Sequence, residues 1–119
     1  MTVLIADDAA YIRKNLITYF KSMAETKILE ATNGTQALEL FEKENPSLIF
    51  LDIVMPEKSG IATTKEIRTK NTEVPIIAMS TLEEGELVDK MMDAGASVLL
   101  KKPFTEERLK LVIMNQLKL

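Results

Sequence analysis

Three carboxylates, a hydroxyl and a lysine stand where apolar runs of this chain stop. Val3 to Ala6 ends in Asp7-Asp8, Leu48 to Leu51 in Asp52, Pro75 to Met79 in Ser80, and Ser97 to Leu100 in Lys101-Lys102 before Pro103. Gathered in one place, three carboxylates repel one another by several kcal/mol at low effective dielectric unless a cation or protons intervene. The chain has no histidine and no cysteine, so its ligands are hard oxygens, which favour Mg²⁺, or Mn²⁺, over zinc. Magnesium takes one or two protein carboxylates and keeps sites for water or a phosphate oxygen, leaving one aspartate over. That spare carboxylate can attack phosphorus and form an acyl phosphate when a metal neutralises the incoming charge. Phosphoryl transfer depends on positioning and charge stabilisation, so a site without histidine is adequate. Lys102 offers a positive charge and Ser80 a hydroxyl donor to phosphoryl oxygens.

The elements that must position these groups are visible as an alternation. Strand-length apolar runs at Val3–Ala6, Lys27–Glu30, Leu48–Leu51, Pro75–Met79 and Ser97–Leu100 are separated by stretches of helical period. The first helix is expected at about Ala9–Ala24, with Ile12, Leu16, Phe20 and Met23 on one face. A second, about Thr35–Glu44, puts Ala37, Leu38 and Phe41 inward between the Asn33-Gly34 turn and Pro46. The third, about Gly60–Thr69, has soft limits. The fourth opens on a capping box, Thr81 with Glu84, and stops at Gly95; the fifth follows Thr105 and buries Leu109, Val112, Ile113 and Leu117. Strands joined through helices pair in parallel by right-handed crossovers, which predicts a doubly wound α/β sheet with ligands at the carboxyl ends of its strands.

Bulk properties bound the function. At 119 residues, 46% hydrophobic and 28% charged, the chain is expected to be one folded domain. No apolar run approaches the roughly 20 residues of a membrane helix, and "MTVLIADDAAY" is not a secretory signal, so no membrane insertion and a cytoplasmic location are expected. The net charge of -3 argues against direct binding of nucleic acid. Each polar residue alone has an ordinary role: Asp8 as a helix cap, Ser80 as a structural hydroxyl, Lys101 or Lys102 as a solvated charge. Four strands ending in complementary groups make the combined reading the stronger one.

Four segments, "VLIADDAAYIR", "LDIVMPEKSG", "IIAMST" and "DAGASVLLKKPF", occur in an order that resembles the receiver domain of two-component response regulators, over essentially the whole chain. The resemblance implies a flavodoxin-like fold, five parallel strands in the order 2-1-3-4-5 with five helices, and one receiver domain over residues 1–119. It implies that Asp52 is the phosphoacceptor for a histidine kinase. Asp7, Asp8, Asp52 and the Val54 backbone carbonyl would hold Mg²⁺, Asp8 directly and Asp7 mainly through water. Ser80 would bond a phosphoryl oxygen after a small inward shift, Lys102 would pair with the phosphate, and the Lys102-Pro103 bond would be cis. Two departures from the family pattern stand out. Leu99 stands where an aromatic switch residue is common, which leaves the output to the Ser80 loop and helix four. Val54 and Leu82, two beyond Asp52 and Ser80, are apolar and cannot orient water, which predicts slow self-dephosphorylation.

The implied function is a phosphorylation-switched signalling module without separate substrate turnover, working with a histidine kinase, a downstream protein target and an external phosphatase. Because helix five ends at Leu119, a stand-alone chemotaxis-type regulator is expected. The alternatives are a phosphorelay intermediate or a receiver excised from a larger transcriptional regulator. A Mg²⁺-dependent phosphatase with an aspartyl nucleophile shares the chemistry, but Val54 occupies the place of its second aspartate and the chain has no cap domain.

Overall fold

The strand residues sort by parity into two cores. Leu4 and Ala6, Ile49 and Leu51, and Ile76 and Ala78 face one layer, while Val3 and Ile5, Leu48 and Phe50, and Ile77 and Met79 face the other. Residues buried on both sides of a strand are what a sheet covered by helices on both faces requires. The computed structural model describes residues 1–23 and 25–118, the Leu82 side chain excepted. Its elements are β1 Thr2–Ala6, α1 Ala10–Lys21, β2 Lys27–Ala31, α2 Gly34–Glu44, β3 Leu48–Asp52, α3 Gly60–Lys70, β4 Ile76–Ser80, α4 Gly85–Ala94, β5 Val98–Lys101 and α5 Glu106–Leu117. The sheet is parallel throughout, in the order β2-β1-β3-β4-β5, as the resemblance implies. Among the described residues no helix is long and apolar enough to cross a membrane.

α1 and α5 cover one face. Ile12, Leu16 and Phe20 of α1 and Leu109, Val112 and Ile113 of α5 are all buried there, each large side chain contributing about 1.5–3 kcal/mol. Phe20 meets Phe50 of β3 edge-on, with ring centroids 5.8 Å apart. α1 stops at Lys21, short of the expected Ala24, because the Ser22 hydroxyl donates to the Tyr19 carbonyl at 2.7 Å and closes the last turn. Met23 leaves the helix yet still packs on this core; Ala24 lies outside the described residues.

α2, α3 and α4 cover the other face. Asn33 caps α2 by accepting the Gln36 N–H at 2.8 Å, and Asn45 ends it in the left-handed region. α3 buries two threonines, whose hydroxyls find the Ser59 carbonyl at 2.8 Å and the Met91 sulfur at 3.4 Å. The expected capping box is present, with the Glu84 carboxylate accepting the Thr81 N–H at 2.6 Å. It opens a 3₁₀ turn, Leu82–Glu84, and α4 proper begins only at Gly85. Among the described residues of α4, Met91 alone is fully buried. The helix is fastened at its far end, where the Arg68 guanidinium of α3 donates to the carbonyls of Gly95, Asn71 and Val74 at 2.8, 3.1 and 2.8 Å and to the Ser97 hydroxyl at 3.3 Å. Burial holds the Arg68 pKa below its ordinary value.

Candidate functional site

β3 and β4 each run one residue further than the sequence pattern suggests. Asp52 is paired in the ladder with Met79, and Ser80 with Lys101. Asp52 and Ser80 are therefore the last residues of rigid strands, not the first residues of loops. Parity then distributes them. Asp52 continues the series Leu48 and Phe50 toward the α1/α5 side, whereas Ser80 continues Ile76 and Ala78 toward the α2–α4 side.

Asp7, immediately past β1, is fully buried and has all its polar atoms engaged. Its N–H donates to the Ala31 carbonyl at 3.1 Å, and its carbonyl accepts from Arg13 Nη1 at 2.8 Å. Its Oδ1 accepts the Ala9 N–H at 2.8 Å, and its Oδ2 accepts from Lys102 Nζ at 3.0 Å. Asp8 is exposed. Asp52 is 3% exposed, and the Lys102 ammonium lies 3.2 Å from its Oδ1. That contact is an ion pair whose angles fall outside those of a hydrogen bond, while the same ammonium donates to Asp7. Among the described residues two buried side-chain atoms lack any hydrogen bond, Asp52 Oδ1 and Ser80 Oγ. An orphaned buried polar atom costs about 1–3 kcal/mol, a cost native structures accept where a ligand or a reaction supplies the partner.

Burial raises the Asp52 pKa most, the Asp7 carboxylate adds to it and Lys102 opposes it; with a smaller push from Glu84, the value rises from 3.8 to about 7. Burial acts against the charge on Lys102, but its hydrogen bond to Asp7 and the carboxylates of Asp52 and Asp7 outweigh that, and its pKa lies above the ordinary lysine value. One carboxylate oxygen each from Asp7, Asp8 and Asp52 lies within 4.8 Å of the others. An all-oxygen set with an orphaned Asp52 Oδ1 and a solvent-facing Asp8 fits a hard divalent cation of the Mg²⁺ or Mn²⁺ kind. Asp7, with both oxygens already bonded, fits a share taken through water.

The β3–α3 loop is shaped against this cluster. A Cβ at Gly60 would lie 2.1 Å from the Asp52 carbonyl oxygen, so only glycine lets α3 start there; its N–H donates to the Ile53 carbonyl at 2.8 Å. Lys58 N–H donates to the Pro56 carbonyl at 2.8 Å across Glu57, which has φ 68°. Val54 sits in this loop, half exposed; the Leu82 side chain lies outside the described residues. The Lys102-Pro103 bond is cis. Leu99 is partly buried against the α2–α4 core. Two further residues bear on the site without a signal for it in the sequence pattern: Glu84, legible there only as a cap, and Arg13, six residues after Asp7 and the last letter of "DDAAYIR".

The sequence profile of the response regulator receiver domain matches residues 3–114. This chain belongs to that family. The receiver is 35% identical over 106 residues to the chemotaxis protein CheY of Bacillus subtilis, which covers 89% of this chain and 88% of that protein. It is 37% identical over 103 residues to the transcriptional regulatory protein PdtaR of Mycobacterium tuberculosis, covering 87% of this chain and 50% of that protein. It likewise spans about half the length of the response regulator DctR of B. subtilis, to which it is 36% identical. Among solved structures, the receiver domain of NtrX from Brucella abortus superposes with a TM-score of 0.88 at 27% identity, covering 98% of both chains. The REC domain of AraT from Geobacillus stearothermophilus gives 0.90 at 27% identity, covering 98% of this receiver and 92% of that chain. Receiver domains of this family are signalling switches of two-component systems.

Proposed function

We propose that this receiver accepts a phosphoryl group on Asp52 from a histidine kinase and passes the signal on by a changed affinity for a downstream protein. The observation that carries the reading is the buried Asp52 Oδ1, without a hydrogen bond and beside a lysine. An Asp52 oxygen attacks phosphorus, the bond from phosphorus to the donor nitrogen breaks, and the imidazole leaves with its electron pair. Lys102 neutralises charge gathering on the phosphoryl oxygens, and the free Ser80 hydroxyl supplies a donor to one of them. Asp8 and Asp52, the Val54 backbone carbonyl and, through water, Asp7 would hold Mg²⁺, with Mn²⁺ as a substitute. When bound, the ion supplies positive charge that keeps Asp52 ionised and screens the incoming phosphate. The acyl phosphate biases two conformations through contacts it makes better in one of them. No separate substrate is turned over, so the domain is a switch and not a metabolic enzyme.

A chemotaxis-type regulator working in the cytoplasm is the favoured role, supported by the match to B. subtilis CheY over most of that protein's length. Apolar Val54 beside the site orients no water, so the acyl phosphate decays slowly and resetting depends on a phosphatase or on back-transfer. Loss of the label within minutes in Mg²⁺ alone would overturn this point. The central test is acetyl phosphate with Mg²⁺, followed by intact mass. Wild type gains one phosphoryl group and Asp52→Asn gains none; a gain in the variant, or none in wild type, overturns the reading.

A further inference from the structure

We infer that Arg13 is a positioning residue for the divalent ion, acting through the Asp7–Asp8 peptide, with Glu30 as its own anchor. The inference rests on the reading of the acidic cluster given above. Arg13 Nη1 donates to the Asp7 carbonyl at 2.8 Å, and Nε of the same guanidinium donates to Glu30 Oε1 at 3.0 Å. The arginine side chain is 16% exposed and that of Glu30 48%.

The Asp7 carbonyl belongs to the peptide plane that continues into the nitrogen and Cα of Asp8. Fixing that oxygen fixes where the Asp8 N and Cα stand and leaves rotation about the N–Cα bond as the backbone freedom that aims the side chain. Asp7 is also tied by its N–H and both carboxylate oxygens, whereas the exposed Asp8 has no such restraint from the described residues. The plane it hangs from is therefore its main orientation device. A planar guanidinium can reach a carbonyl with one nitrogen and a carboxylate with another at fixed geometry; a lysine ammonium offers the charge without the fork. Glu30 is the penultimate residue of β2, one before Ala31, whose carbonyl holds the Asp7 N–H. The β2 end thus grips the acidic loop twice, once through its backbone and once through Arg13.

The test is titration of Mg²⁺ into wild type, Arg13→Met, Arg13→Lys and Glu30→Gln by calorimetry, with circular dichroism to verify folding. Met keeps the length of the side chain and removes the fork. Arg13→Met is expected to weaken Mg²⁺ binding about tenfold, with Arg13→Lys and Glu30→Gln in between, as for other groups that orient metal ligands from behind. In acetyl phosphate reactions, the Mg²⁺ concentration giving half-maximal rate rises by the same factor, while the rate at saturating Mg²⁺ stays within about twofold of wild type. A purely structural role would not divide the effect in this way. If Arg13→Met does not fold, Arg13→Lys and Glu30→Gln carry the test. Mg²⁺ affinity within about twofold of wild type in the folded variants overturns the inference and leaves the phosphoacceptor reading intact, and so does full affinity in Arg13→Lys, which would assign the effect to charge alone. A wild type that neither binds Mg²⁺ nor gains phosphate at Asp52 overturns both.

Discussion

Asp52→Asn should stabilise the metal-free protein, and the advantage should grow with pH. In the folded chain the Asp52 carboxyl titrates at about 7, pushed up from 3.8 by burial and by Asp7. Between those two values the folded protein holds a proton that the unfolded chain has released, so wild type loses stability as pH rises through the window and stays less stable above it. At 1.36 kcal/mol per pH unit, the whole gap is worth about 4 kcal/mol. By pH 5 a little over a third of it has been spent; by pH 8 nearly all has. Asparagine keeps the shape and has no charge to desolvate. The stability difference between variant and wild type should therefore widen by about 2–3 kcal/mol from pH 5 to pH 8. Urea unfolding followed by circular dichroism, in chelator at both pH values, measures this directly, since every other titrating group is common to the two proteins. Adding Mg²⁺ at about a hundred times its Kd should return up to about 2.7 kcal/mol to wild type at pH 8 and distinctly less to the variant. A difference that is constant or shrinks with pH would mean that Asp52 is not a buried, strained carboxylate, and the electrostatic basis of the site would be wrong.

Three further outcomes follow from single contacts. Ser80→Ala removes a buried hydroxyl that bonds nothing, so thermal unfolding should be unchanged or stabilised by up to about 1 kcal/mol; a loss above about 2 kcal/mol would reveal a partner. Gly60→Ala drives a methyl group into the Asp52 carbonyl and should cost at least about 2 kcal/mol and impair labelling by acetyl phosphate, whereas wild-type behaviour would show that the loop yields easily. Arg68→Met strips donors from three backbone carbonyls at the junction of α3, α4 and β5, at about 2–4 kcal/mol by chemical denaturation. A change under about 0.5 kcal/mol would mean water replaces the guanidinium.

The layout of the sheet was legible because its strands are continuous apolar runs, and their alternation needs no knowledge of neighbours. Strand ends were less legible: the apolar pattern stops at Leu51 and Met79, yet Asp52 and Ser80 extend the ladders by one step. α3 resisted its periodicity reading because its buried face holds Gly60, Thr63 and Thr64, whose hydroxyls are satisfied by partners sequence cannot display. The end of α1 turned on one serine hydroxyl, and the start of α4 on a tighter first turn. For the site, residue types indicated an oxygen-ligated cation and a phosphoryl acceptor, while assignment of Asp52, Asp8 and Lys102 to separate tasks came from the family resemblance. Arg13 stayed hidden because its role runs through a backbone carbonyl, which has no letter in the sequence.

The parity of Ser80 carries a mechanical corollary. Its hydroxyl belongs to the side of the sheet opposite the carboxylate it would serve, and the next residue, Thr81, is tied to the turn that leads into α4. Any attraction that draws this hydroxyl toward a charge on Asp52 would pull on the α2–α4 layer, across the sheet from that carboxylate. On the proposed function the sheet would work as a bulkhead: reaction on one side, displacement on the other, with one strand end passing through it.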